Sequence, residues 1–173
     1  MLLDSCVSAI LFNKKRSRRS CIYGGGRMIT VEKLIKQKGT EVWSVSPDDS
    51  VYNAIKLMSE KGIGALAVVQ KDTLAGIISE RDYAGKVILQ GRSSKETKVK
   101  DIMTTHVFHT VPEQHIDECL VIMNERRIRH LPVLQEGNLI GLLSIGDVVK
   151  EIIKDQKYTI KQLENHISWE ENY

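Results

Sequence analysis

The sequence predicts an α/β fold made of two copies of one strand, helix, strand, strand, helix unit, related by a pseudo-twofold axis. Three observations predict it. Sliding the chain against itself by 65 residues aligns residues 42–88 with 107–153 without a gap, and thirteen of the 47 positions are identical, Pro47, Ile63, Gly76, Ser79 and Asp82 among them. Most of the others are like for like, as Trp43 with Phe108 and Val51 with Ile116. Within the second copy, residues 128–147 (IRHLPVLQEGNLIGLLSIGD) place two apolar runs around a turn at Gly137-Asn138, the pattern of a hairpin of short buried strands. After the hairpin the period becomes helical at Ser144, a good N-cap, with Asp147 three residues on. A first helical turn leaves N–H groups unpaired beside the positive end of the helix dipole, so polar side chains there can face a ligand.

Each element follows in order. Thr30 is an N-cap and Gly39 a stop for a short helix, VEKLIKQK. Residues 42–46 form a short strand that Pro47 ends. Ser50 caps a helix whose Val51, Ala54, Ile55 and Met58 share one face. Residues 65–69 and 74–78 make the first hairpin, and residues 80–89 a second helix. GRSSKETK at residues 91–98 is a polar linker, and VKDIM at 99–103 is the counterpart of the first helix once the first copy is given a three-residue insertion. In the second copy Ile116, Cys119, Leu120 and Met123 form the apolar face, which makes Cys119 a small buried hydrophobe. The last helix runs on past the repeat with Ile160, Leu163 and Ile167 in approximate period, an overhang expected to pack on a partner subunit. The resulting organisation is residues 1–27 as a basic extension, 28–92 and 93–155 as the two units, and 156–173 as a helical tail.

Composition sets the bounds. A chain of 173 residues with 42% hydrophobic and 27% charged residues has enough core to fold without staples. The net charge of +3 comes largely from Lys14, Lys15, Arg16, Arg18, Arg19 and Arg27, so the folded part is near neutral and offers no general nucleic-acid surface. Cys6, Cys21 and Cys119 are an odd number without a CxxC pair, which argues against a disulfide framework and a zinc site. The apolar run in residues 1–12 is too short to span a bilayer at about 20 residues, and its basic cluster follows it where a secretory signal would put charge first. A mitochondrial-type presequence is one reading of residues 1–27; an upstream extension joined by Gly24-Gly25-Gly26 is the other. A cytoplasmic location is expected on the second, the mitochondrial matrix on the first.

The tandem units, the Leu131-Pro132-Val133 strand and the motif Gly-x-x-Ser-x-x-Asp, present at Gly76/Ser79/Asp82 and again at Gly141/Ser144/Asp147, resemble the cystathionine beta-synthase (CBS) domain pair. The resemblance covers residues 31–153, and the SERDYAGKV form is similar to small stand-alone bacterial members. It implies binding of an adenosine nucleotide between the units, AMP first and then ADP, ATP, NAD or S-adenosylmethionine, with no metal. By the same resemblance Asp82 and Asp147, helped by Ser79 and Ser144, accept hydrogen bonds from the ribose hydroxyls, a suitable task for an acceptor-only carboxylate. Adenine would lie against backbone near Val45 or Thr110, between Ile63 and Ile128. Arg129 and His130 would hold phosphate, paired with Asp82 and Ser79. The Asp147 site would then face Gly64 and Ala65 and lack a charged clamp. The alternative is that both Asp residues serve the helix dipole and that Arg129 and His130 are a solvated turn.

No nucleophile beside a base, no P-loop and no GxGxxG is present, and His106, His109 and His115 have no fixed metal spacing, so no enzyme is expected. Three function classes remain, in order: an adenosine-ligand-binding regulatory module acting on a partner protein, a ligand-independent scaffold, and a nucleic-acid-associated protein using the basic segment. A homodimer through the helices at residues 50–61 and 80–89 is expected for the first two.

Overall fold

The computed structural model describes residues 29–39 and 41–170, with side chains as far as residue 165. The basic extension and glycine joint expected at residues 1–27 lie outside them. The elements are α1 (Val31–Lys38), β1 (Ser44–Val45), α2 (Val51–Lys61), β2 (Ala65–Gln70), β3 (Thr73–Ser79), α3 (Glu80–Tyr83) continuing as a π-helical turn (Ala84–Ile88), a 3₁₀ turn (Val99–Asp101), α4 (Ile116–Arg126), β4 (His130–Gln135), β5 (Asn138–Ser144) and α5 (Ile145–Glu170). The α/β class and the doubled unit are as the repeat predicts.

Local chemistry sets these bounds. Ser50 Oγ accepts from Asn53 N at 3.2 Å to open α2, and Thr30 does the same for α1 from Lys33 N at 3.5 Å. Both hairpins are antiparallel in equivalent register, with irregularities at the equivalent steps Val68/Val69 and Val133/Leu134. Their two-residue turns, Lys71-Asp72 and Glu136-Gly137, have positive φ throughout, which matches the twist of the flanking strands. The second turn therefore sits one residue earlier than Gly137-Asn138. β1 lies parallel to β2 with Val45 opposite Val68, whereas the second copy has a single parallel bridge, Thr110 to Val133, where a strand is expected. The regular helix expected at residues 80–89 widens into a π turn, with Leu89 N donating to Ala84 O at 3.1 Å. That turn puts Val87 in the core and Lys86 Nζ on Ile102 O at 2.6 Å.

The two cores are closed crosswise. Val51, Ala54, Met58, Leu66, Val68, Ile78 and Val87 of the first unit pack with Val99 and Ile102, which follow it in sequence and lead into the second. Ile116, Cys119, Met123, Leu131, Val133, Leu143 and Val148 of the second unit pack with Ile29, Val31, Leu34 and Ile35, which precede the first. Hydrogen bonds repeat the exchange. Val31 N and Glu32 N donate to Gln114 O and Pro112 O, while Val99 N and Lys100 N donate to Asp49 O and Pro47 O, each at 2.9 Å. The polar linker takes part, since Thr97 is buried and its carbonyl and that of Ser94 accept from the first N–H groups of α2.

Cys119 is fully buried as expected, with Thr110 Oγ1 at 3.3 Å from its sulfur, and burial raises its thiol pKa. Among the described residues no helix is long and apolar enough to cross a membrane.

Candidate functional site

A cleft of about 400 Å³ opens between the units, within the size range of small-molecule sites. Its apolar wall is Val42, Trp43 and Ile63, its floor is Gly64 and Ala65, and the far side is His130, Leu142, Ser144 and Asp147. Lys38, at the end of α1, closes one edge. Trp43 is steadied by Lys61, whose Nζ lies 3.7 Å from the ring centroid, and the second copy repeats the pair as Arg126 over Phe108 at 4.8 Å.

Ser144 and Asp147 form a reciprocal cap at the start of α5. Asp147 Oδ2 accepts from Ser144 N (2.9 Å) and Ser144 Oγ (2.7 Å), while Asp147 N donates to Ser144 Oγ (3.2 Å). Lys38 Nζ adds a third donor to the same oxygen at 2.7 Å and also donates to Leu142 O at 3.0 Å. Among the described residues the hydrogen bonds to the Asp147 carboxylate all fall on Oδ2, which leaves Oδ1 as a spare acceptor on a residue that lines the cleft. Burial pushes the Asp147 carboxyl up, but the hydrogen bonds from Lys38 and Ser144 outweigh it and hold the group below its ordinary value. It is an anion at neutral pH.

Ser79 and Asp82 repeat the cap, with Asp82 Oδ2 accepting from Ser79 N (3.1 Å) and Ser79 Oγ (2.6 Å). Here Oδ1 is taken as well, by Lys86 Nζ at 2.7 Å. The two motifs thus share a cap and differ in the oxygen left over.

Other expected site residues fall differently. Thr110 is buried, its N–H donates to Pro132 O, its carbonyl accepts from Leu134 N, and its hydroxyl donates to Gln114 Oε1, so the strand network has used its polar groups. Val45 pairs with β2 and packs against the first core rather than lining the cleft. Val42 and Trp43, a few residues earlier, form the wall in its place. Ile128 packs on the second core and Arg129 is exposed. His130 lines the cleft that holds Asp147, and Asp82 is not part of that lining. Its pKa is lowered to about 4, by burial first and then by Arg129 and Lys38, so at neutral pH it supplies a neutral imidazole and no phosphate-binding charge. The expectation that the Asp147 side lacks a cation is corrected by Lys38. That residue lies in the stretch where the first copy carries its insertion, the one signal in the sequence that the two clefts differ there.

The His130 shift has a consequence for stability. Its folded pKa lies below its unfolded value of about 6.5, so the unfolded chain takes up the proton first as pH falls. Stability should drop between about pH 6.5 and pH 4, on the order of 3 kcal/mol over the full interval, and His130→Gln should flatten that slope. Asp147 acts only below this window, where its protonation removes further stability. Urea midpoints at pH 7, 6 and 5 measure the effect; equal slopes in the two proteins would refute it.

Among the described residues no group of three or more His, Cys, Asp or Glu is placed to hold a metal. Comparison with known proteins decides the family, because the model of the CBS domain matches residues 31–88 and again residues 99–154. The chain belongs to the CBS domain family. It is 40% identical over 153 residues to a mitochondrial CBS domain-containing protein of Arabidopsis thaliana, covering 83% of this chain and 74% of that one. A solved CBS-domain protein from Burkholderia ambifaria is 56% identical, with a TM-score of 0.71 over 74% of this chain and 96% of its own. The same fold, at 20% identity and a TM-score of 0.65, occurs in a CBS domain pair solved in complex with 5′-methylthioadenosine and S-adenosyl-L-methionine, over 72% of this chain and 96% of that one. CBS pairs are regulatory modules rather than catalytic domains.

Proposed function

We propose that this CBS pair is a sensing module that binds an adenosine nucleotide in the Asp147 cleft, AMP first among candidates, and passes occupancy to a partner protein. The observation that carries this reading is the free Oδ1 of an ionised Asp147 beside Lys38, in a cleft walled by Val42, Trp43 and Ile63. A carboxylate suits a ribose cis-diol, a Lys ammonium suits phosphate, and an indole with an aliphatic side chain suits a purine face. Support also comes from the shared fold of the pair that holds two adenosine-containing molecules. The ligand would touch α1, the first unit and the second unit together, so it would favour whichever arrangement of the three fits it better. Ser79 and Asp82, with Ile128 and Arg129 opposite, would form a weaker second site because Lys86 occupies the remaining carboxylate oxygen. A homodimer through α2 and the α3 segment fits the exposure of Tyr52 on α2 and of Ile88 and Leu89 at the end of the π turn.

The test is a thermal-shift panel with AMP, ADP, ATP, NAD and S-adenosylmethionine on the wild type, Asp147→Ala and Asp82→Ala. A ligand at about 100 times its Kd adds roughly 2.7 kcal/mol, and Asp147→Ala should remove the shift while Asp82→Ala keeps most of it. No shift with any ligand would favour the scaffold reading; loss only in Asp82→Ala would move the site to the other cleft.

A further inference from the structure

α5 continues well beyond the second core, and the residues it leaves exposed are not scattered. Its inward positions are Val148 and Glu151, which are buried, and Ile152, Asp155 and Thr159, which are half-buried. One residue further round, Val149 (39% exposed), Ile153 (46%), Ile160 (55%) and Leu163 (58%) form a second stripe. Their spacing of four, seven and three is that of alternating a and d positions in a heptad. Ile153 and Ile160 fall at a, Val149, Gln156 and Leu163 at d, and Ile167 continues the a series in sequence. Isoleucine at each a position, with Val149 and Leu163 at d on either side of the polar Gln156, makes an apolar seam wide enough for one further helix, and from Val149 to Ile167 it is about 27 Å long.

We propose that this stripe is the contact for a second copy of the same helix, running antiparallel. Charge decides the direction. The flanking e positions are Lys150, Lys157 and Glu164, and the g positions are Ile152, Thr159 and, in sequence, His166. Parallel pairing sets e against g and brings no opposite charges together. Antiparallel pairing sets e against e, so that Lys150 meets Glu164 of the other copy, twice by symmetry. Lys157 meets its own copy at the axis, where two exposed four-carbon stems can splay apart. The same direction lays the far end of each overhang along Val149 and Ile153 of the other body, which covers the part of the stripe that lies on the folded module. This contact is separate from the ligand cleft and from the α2–α3 face, so it adds a second association surface.

The experiment is sedimentation of the full chain over a concentration series, with circular dichroism to check folding. Ile160→Glu with Leu163→Glu, both at exposed positions, should halve the mass of the associated species. Glu164→Lys should weaken association roughly fivefold, and adding Lys150→Glu should restore it, because the pair is then reversed rather than broken. Unchanged mass in the double glutamate variant, or a stripe that binds only a different protein, overturns the proposal. So does a loss in Glu164→Lys that Lys150→Glu fails to repair.

Discussion

Gly76→Ala is expected to destabilise the chain by about 2–3 kcal/mol, more than twice the cost of Gly141→Ala, although the two glycines hold equivalent places in the repeat. A Cβ on Gly76 would lie 2.8 Å from the backbone oxygen of Thr104 and 2.9 Å from Met103 Sδ. Thr104 is fixed to β3 by two hydrogen bonds, Ile77 N to Thr104 O (3.0 Å) and Thr104 N to Ile77 O (2.9 Å). An added methyl must therefore push apart a paired backbone that holds Ile102 in the first core. At Gly141 the Cβ meets Ile35 alone, with Cδ1 nearest at 2.5 Å. That atom is the free end of a side chain and can turn aside, at a cost of about 1 kcal/mol. Urea unfolding of the two variants measures the difference, and equal losses, or a larger one at Gly141, would contradict the argument.

Lys38→Met should change ligand preference in two directions at once. Without a phosphate in the cleft, the ammonium sits on Asp147 Oδ2 and competes with a diol that would engage both carboxylate oxygens. A phosphorylated ligand offers Lys38 another anion and so releases the carboxylate for the ribose. Removing the ammonium should weaken AMP or ADP by roughly 10- to 100-fold, the range for a charge-assisted hydrogen bond, and should strengthen adenosine, which has no phosphate to lose. Lys38→Arg should keep most of the nucleotide affinity. Titration calorimetry with adenosine and AMP on the three proteins gives the comparison. A parallel fall for both ligands would mean that Lys38 serves the fold of the cleft rather than its selectivity.

What could be read from the sequence was local. Ser79 with Asp82 and Ser144 with Asp147 are three residues apart at a helix start, and their caps form as that spacing predicts. The hairpins followed from apolar runs and turn residues, with only the second turn displaced by one position. What could not be read depends on residues distant in sequence. Lys38 meets Asp147 across 109 residues, and no periodicity marks that contact. Thr110 looked available because its pairing with Pro132 and Leu134 depends on how the second copy folds back. His130 looked like a cation because its type suggests one, whereas its charge depends on burial and on Lys38 and Arg129. Nor did the repeat show which unit each lead-in segment would join.

That last feature governs the order in which the fold can be completed during synthesis. The first core is finished once residues 99–102 have left the ribosome. α1 is made earlier than anything it packs on, since its partners begin at Pro112 and Ile116. At typical elongation rates the apolar face of Val31, Leu34 and Ile35 waits roughly 4 to 16 s for the first of them. During that interval a folded first unit trails an unsheltered amphipathic helix, a natural target for a chaperone. Lys38 reaches Asp147 only when this helix docks, so the cleft is among the last parts of the molecule to form.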